Sequence, residues 1–319
     1  MNAVSPKQFE RIQKIIIDDL TTAKKPSESP VVIITGGQPG AGKTELERLA
    51  RIELGGNIVS CNADNFRDYH PGAEEIKHRF ETYYPELTAK YAQDWNNGLK
   101  VYCEANRLNY ILETTFSSGL VMNKTIADLQ QKGYRVEIKL IAVHPKISLL
   151  GTNVRFEEMK AKEKTGRMVI KEAHDDRYSK LVPTLITVQS ASLYNKLQIY
   201  GRNATSHQKS DIDGIHLIAT NPPDAVQVFQ QVFDQPWPAK MMQYFEEKMQ
   251  TVIRLKEARN APAEEIAKFR EEMSAEYLSP RQLQQLSDQQ RQEENAAQNL
   301  GQQQAKTTRQ QLRKGPRVR

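Results

Sequence analysis

The chain has 319 residues, 38% of them hydrophobic and 26% charged, with a formal net charge of +6. That length suits one large domain, or one domain with appendages. Its two cysteines, Cys61 and Cys103, exclude a disulfide framework, and no run is long and apolar enough to span a bilayer.

The charge is localised. Lys306, Arg309, Arg313, Lys314, Arg317 and Arg319 follow Ala305 with no acid among them, and together they equal the whole net charge. The basic balance therefore describes a tail and not a basic face, so nucleic acid is an expected partner only through that tail. Met1 to Asp18 mixes charged and apolar residues and lacks a signal-peptide pattern. Two thiols of the buried, unreactive kind fit a cytoplasmic protein, although a protein injected from a cell would have the same composition.

In chain order, Ser5-Pro6-Lys7-Gln8 reads as a helix start, with Ser as N-cap, Pro at the first helical position and Gln three residues after the cap. The helix is expected to run to about Leu20, followed by a loop to Pro30. Val31 to Thr35 is a short β-branched run, the pattern of a strand buried on both faces. Next comes Gly37-Gln38-Pro39-Gly40-Ala41-Gly42-Lys43-Thr44, which fits the P-loop pattern G-x-x-x-x-G-K-[ST] at every position.

The chemistry of a bound triphosphate asks for these residue types. Successive N–H groups can converge on one anion only where no side chain obstructs the backbone. A helix starting near Lys43 adds its positive end. Lys43 can reach the outer phosphates, and Thr44 offers a hydroxyl to Mg²⁺. The plain alternative is a flexible glycine turn, but the strand before the loop and the Leu46, Leu49, Ala50, Ile52 spacing after it favour the P-loop.

Asn57 to Ser60 is expected as a second strand, ending at Ala63-Asp64-Asn65. Leu108 to Leu112 is a third, ending at Glu113, and Tyr134 to Val143 a fourth. A fifth is Lys196 to Tyr200 or Gly214 to Ala219, two runs that could pair. Helical stretches separate the first four, so the fold class is α/β: a P-loop kinase-like parallel sheet flanked by helices. Ala225 to Phe233, Met241 to Arg259 and Pro262 to Glu276 read as a helical C-terminal extension. From Arg281 glutamine dominates, which suits a solvated helix or a disordered tail. The expected divisions are 1–30, an N-terminal helix and loop; 31–221, the kinase domain; 222–280, the extension; and 281–319, the tail.

Ligands of open α/β sheets bind beyond the carboxyl ends of the strands, where Asp64 and Glu113 fall. A carboxylate there can take a proton from a substrate hydroxyl or hold Mg²⁺ through water. The alternative is a loop acid capping the next helix. Arg155 and Arg167 flank a helix and a loop with Gly166, the pattern of cations on a lid over a phosphoryl group. The charged stretch from Glu157 to Lys164 reads as a solvated helix face. Trp95 reads as packing.

GQPGAGKT, NADNFRDYHP, ILETT, LGTNVRFEEM and TGR…KEAHD, in this order, resemble the zeta toxin family of toxin–antitoxin systems. The resemblance covers about Val31 to Arg202, with Tyr200-Gly201-Arg202 matching the family's Y-x-R. It implies a P-loop kinase that moves the γ-phosphate of ATP (or GTP), with Mg²⁺, to the 3′-hydroxyl of the amino sugar in UDP-N-acetylglucosamine, poisoning cell-wall synthesis. It also implies a small helical antitoxin that blocks the nucleotide site. Residue by residue, it implies Lys43 as the P-loop lysine and Asp64 as the general base. Glu113 and Thr115 would line the UDP-sugar pocket, Arg155 and Arg167 would steady the phosphates, and Arg202 would serve the nucleotide.

The chain also departs from the pattern. Phe116-Ser117 stands where the family has an arginine after its E-x-T. The acid on the helix before that strand has no single match, with Asn97 in register and Asp94 and Glu104 nearby. A wider set of UDP-sugars is therefore expected. The rival readings are a P-loop kinase of another small hydroxyl, such as an antibiotic or a nucleotide, and a non-catalytic nucleotide-binding module.

Overall fold

Six strands build one sheet in the order β2-β3-β1-β4-β5-β6 in a computed structural model that describes residues 4–162, 168–203 and 214–274. The strands are β1 (Val31–Gly36), β2 (Val59–Cys61), β3 (Tyr110–Thr114), β4 (Arg135–Ala142), β5 (Lys196–Arg202) and β6 (Ile215–Thr220). The first five are parallel, and β6 pairs antiparallel with β5, so the two candidate fifth strands are partners. The chain leaves β1 toward β3 and β2 on one side, then returns to add β4 and β5 on the other. The end of β1 is thus a topological switch point, where such sheets bind ligands.

Every residue of β1 is buried, and its side chains alternate between two layers. Val31 and Ile33 face Ala50 of α2 (Lys43–Glu53), while Val32 and Ile34 join the larger core cluster. That larger cluster takes residues from α1 (Pro6–Thr21), α4 (Tyr84–Ala105), α5 (Gly119–Gln131), α8 (Leu181–Ala191) and α9 (Ala225–Asp234). Between α2 and α4 lie a 3-10 segment, Ala63–Tyr69, and the short helix α3 (Ala73–Arg79). The second strand starts at Val59 and not at Asn57, and the Asn57 side chain is engaged instead with the loop that leads into β1. Its Oδ1 accepts from Lys25 N at 2.8 Å, and its Nδ2 donates to Lys25 O at 3.1 Å.

The N-terminal helix begins as its cap residues predict. The Ser5 hydroxyl accepts from Gln8 N at 3.3 Å, and the Gln8 side chain accepts from Ser5 N at 3.1 Å. The helix buries Ile16 and lays Phe9 on Trp95, with ring centroids 5.5 Å apart. Trp95 is fully buried and donates its Nε1–H to Phe9 O at 3.3 Å. Trp95→Ala is expected to cost about 3–5 kcal/mol, read as a shift in urea midpoint at constant slope. A loss under about 1 kcal/mol would mean that α1 adds little to the core.

After β4 come α6 (Pro145–Ala161), α7 (Lys171–Ser179) and, beyond α9, α10 (Ala239–Ala258) and α11 (Ala263–Glu272). The described residues up to Phe233 and from Trp237 to Met273 belong to one compact unit; Asp234–Pro236 and Ser274 fall outside it.

The stretch that begins at Glu157 is not a purely solvated face. Glu157 is buried, accepting from Arg259 at 2.8 and 2.9 Å and standing 2.9 Å from Lys256 Nζ. Burial alone would raise its carboxyl pKa, but the hydrogen bonds from Arg259 and Lys256 outweigh burial and hold it below the usual value. An acid this buried is tolerated because α10 brings two cations to it. The expected tail after Arg281, the last residues of the expected helix to Glu276, and Arg167 with Gly166 all lie outside the described residues.

Candidate active site

The P-loop sits tightly against α6. Gly40 has φ +76°, and a Cβ there would lie 1.9 Å from Ser148 O. Gly151 faces it from the helix, where a Cβ would lie 2.6 Å from Gly40 O. Two glycines at one contact let backbone meet backbone, which no larger residue permits. The Gln38 side chain points the same way, donating to Val143 O and Ser148 Oγ at 3.1 Å each. The Gln38 and Ala41 side chains are fully buried, which leaves their backbone as the part that can meet a phosphate.

Beyond the loop opens a cavity of about 600 Å³, a size ordinary for small-molecule sites. Gly40, Gly42, Lys43 and Thr44 line it from the loop. Asp64, Glu113 and Thr115 line it from the ends of β2 and β3, Arg155 from α6, and Arg202 from the end of β5. The sheet order and the α6 contact thus bring Lys43, Thr44, Asp64, Glu113, Thr115, Arg155 and Arg202 to one cavity, while Gly37, Gln38 and Ala41 do not line it. The segment following Arg167 also reaches it, through Met168, Val169 and Ile170.

Lys43 is the first residue of α2. Its Nζ donates to Gly37 O at 3.0 Å and Gln38 O at 3.3 Å, and stands 3.6 Å from Glu113 Oε1. Burial pushes the ammonium pKa below the usual lysine value, Arg155 adds to the fall, and Glu113 opposes it. Lysine drawn back onto loop carbonyls can swing outward to phosphate, since it is a point charge on a flexible stem.

The position of Asp64 follows from its neighbours. Asn62 caps the 3-10 segment, accepting from Asp64 N at 3.0 Å, and its Nδ2 donates to Glu113 Oε2. One amide side chain thus ties the start of the 3-10 segment that carries Asp64 to the Glu113 carboxylate of β3. Arg67 donates its Nε–H to Asp64 Oδ1 at 2.8 Å, and its other end is held by Pro85 O and by Thr88 Oγ1 at 3.2 Å. Asp64 is thereby tied to α4. The i, i+3 spacing of Asp64 and Arg67 is visible in the sequence, but the fork reaching Pro85 and Thr88 is not. Arg177 of α7, Tyr244 and Lys248 of α10 also line the cavity, and none of the three stands in a phosphate-binding motif of the sequence. With Lys43, Arg67, Arg155 and Arg202, the side chains of Arg177 and Lys248 outnumber the lining acids Asp64, Glu113 and Glu158, and this excess of positive charge suits a polyphosphate.

At the end of β3 the backbone enters the left-handed region at Phe116, φ +53°. That turn buries the Phe116 ring in the core and leaves Thr115 on the cavity, its hydroxyl donating to Ser117 Oγ at 3.1 Å. Ser117 is exposed. The turn therefore carries no cation.

Beneath Glu113 lies a further acid, Glu47 of α2, which accepts from Ser60 Oγ at 3.0 Å. Burial first, then the hydrogen bond and charge of Glu113, push its pKa up to about 7. A carboxyl raised this way stays protonated in the fold where the unfolded chain would already ionise. Its stabilising contribution is complete below the unfolded value and is lost as pH rises toward 7. Glu47→Gln keeps the acceptor for Ser60 and removes the titration. It is expected to leave stability unchanged near pH 4.5 and to raise it by about 1–3 kcal/mol at pH 8. Equal unfolding midpoints for variant and parent at pH 8 would refute the coupling of this acid pair.

Among the described residues no three His, Cys, Asp or Glu side chains are grouped as a metal cage. Mg²⁺ on a nucleotide needs none, since it keeps waters and takes few protein ligands beside the phosphates. Thr44 in the cavity wall with the nearby carboxylates fits that donor set.

Comparison with known proteins agrees with this fold. The zeta toxin family model matches residues 17–213. The toxin PezT of Streptococcus pneumoniae is 35% identical over 185 residues, covering 58% of this chain and 73% of that protein. The toxin zeta of Streptococcus pyogenes is 32% identical over 198 residues, covering 61% and 69%. A solved structure from the PezAT chromosomal toxin–antitoxin system of S. pneumoniae superposes with a TM-score of 0.70 at 27% identity, over 80% of this chain and 99% of that one. With a glycine-bounded P-loop, two carboxylates at neighbouring strand ends and a family match over more than half its length, the chain belongs to the zeta toxin family.

Proposed function

We propose that this chain is a kinase that transfers the γ-phosphoryl group of ATP to the 3′-hydroxyl of the amino sugar in UDP-N-acetylglucosamine or a related UDP-sugar. In the cytoplasm of a bacterium it would act as a toxin by starving cell-wall synthesis, until a small helical antitoxin covers the nucleotide site. The observation that carries the reading is Asp64, held by Arg67 on the same cavity as the P-loop. The names of the relatives, two of them toxins and one structure from a toxin–antitoxin system, support the biological role. Among the described residues no helix is long and apolar enough to cross a membrane.

In this reading the loop N–H groups and the helix end hold the β-phosphate, and Lys43 swings to the γ-phosphate. Mg²⁺, held by Thr44 when bound, would offset charge between the outer phosphates. Asp64 takes the proton of the sugar hydroxyl as its oxygen bonds to the γ-phosphorus. The bond to the bridging oxygen breaks, and the nucleoside diphosphate leaves. Arg155, with Arg167 in the segment beyond α6, offsets charge on the phosphoryl group in flight. Glu113 and Thr115 are placed to bind the sugar. The exposed Ser117, where a cation is absent, leaves room for related UDP-sugars.

Incubating the chain with ATP·Mg²⁺ and a panel of UDP-sugars tests the reading. The expected product is a UDP-sugar heavier by one phosphoryl, with one ADP released per product. Phosphorylation of an antibiotic or a nucleotide instead, with none of the sugars modified, would favour the rival kinase. ATP binding with no product on any acceptor would favour a non-catalytic module.

A further inference from the structure

We propose that α10 supplies the nucleobase subsite of the nucleotide site, through Tyr244 and Lys248 acting with Arg202. This rests on the kinase reading above and adds to it which helix holds the nucleoside.

Direction comes first. In phosphoryl transfer the attacking and leaving oxygens lie in line on opposite sides of the group in flight. Asp64 and Glu113 stand at the ends of β2 and β3, to one side of β1. The acceptor hydroxyl belongs on that side. The leaving nucleoside diphosphate therefore extends to the other, past β4 and β5. The cavity continues that way, and its lining there includes Arg202 at the end of β5 with Tyr244 and Lys248 from α10.

The chemistry of that end fits a base. Arg202 donates to Gly40 O in the P-loop at 3.0 Å and to the Tyr244 hydroxyl at 2.8 Å. Its guanidinium lies 5.6 Å from the Tyr244 ring centre. Lys248, one turn further along the helix, holds its ammonium 5.9 Å from the same ring. A planar cation pinned at both ends beside a half-buried aromatic ring is a stacking platform for a heterocycle. Stacking accepts any base because every base has a π face, so the subsite takes ATP and GTP alike.

The helix that carries this platform is fastened to the catalytic helix. Lys256, in the last turn of α10, and Arg259, just past its end, hold buried Glu157, and Glu157 is two residues after Arg155 on α6. The same ion pairs that seat α10 thus keep Tyr244 beside the P-loop.

The test compares two ligands, Mg·ATP and Mg·tripolyphosphate, which share the phosphate chain and differ in the nucleoside. Binding of each is measured calorimetrically to the full chain and to Tyr244→Ala and Tyr244→Phe. The parent chain is expected to bind ATP at least about tenfold more tightly than tripolyphosphate. Tyr244→Ala is expected to raise the Kd for ATP by roughly tenfold while changing that for tripolyphosphate by less than about twofold. Tyr244→Phe keeps the ring and is expected to keep most of the ATP affinity.

Equal losses for both ligands in Tyr244→Ala would overturn the proposal, since the helix would then only brace the loop through Arg202. So would unchanged ATP binding in that variant, or a parent chain that binds the two ligands equally. A parent chain that binds neither ligand would overturn the kinase reading itself.

Discussion

Asp64→Ala is expected to lower the rate of phosphoryl transfer by ~10²–10⁴-fold while leaving ATP affinity within about threefold. The loss has two sources. The carboxylate that takes the hydroxyl proton is gone, and so is the group that fixes the hydroxyl in line with the γ-phosphorus. ATP affinity is retained because the loop that binds phosphate is built elsewhere, by Gly40 against Ser148 and Gly151 and by Gln38 against Val143. Asp64→Asn is the sharper variant. Its amide oxygen can still accept from Arg67, so the 3-10 segment keeps its tie to α4, but it cannot accept a proton under turnover. A single-turnover assay with labelled ATP reads both variants. Turnover like that of the parent chain would show that the proton leaves by another route.

Lys43→Ala is expected to lower kcat/KM by about 10²–10³-fold, through both nucleotide affinity and rate. Lys43 is the P-loop side chain able to reach the outer phosphates, and 11% of it is exposed. Charge in so dry a position is worth far more than in water. Arg155 does not replace it, because it comes from α6 and not from the phosphate-binding loop. The variant separates from Asp64→Ala by its weaker ATP binding. It also tests biology: bacteria expressing Lys43→Ala should keep growing where those expressing the parent chain stop. Arrest by the variant would disconnect toxicity from kinase chemistry.

Much of this molecule was legible in its residues, and the reasons are local. The Ser5–Gln8 box, the β-branched run into the P-loop and the glycine pattern ahead of Lys43 depend on backbone chemistry within a few residues of each position. Such features fold the same way wherever the chain carries them. Strand positions were legible because apolar β-branched runs mark them, although the third strand runs from Tyr110 through Glu113 to Thr114, two residues later than its apolar run suggests. The linked motifs identified the family because their order and spacing are hard to produce by chance.

Tertiary structure decided what lies between distant segments. Glu157 stands in a charged run that reads as a wet helix face, and only α10, arriving with Lys256 and Arg259, makes its burial tolerable. Arg67 is one of many surface-like arginines until α4 offers Pro85 and Thr88 to its other end. Tyr244 has no motif at all, and sheet order and helix packing alone bring it to Arg202 and the P-loop. Local periodicity encodes which face of an element is apolar. It does not encode which element will cover that face, because that choice depends on packing and charge pairing summed over the whole chain.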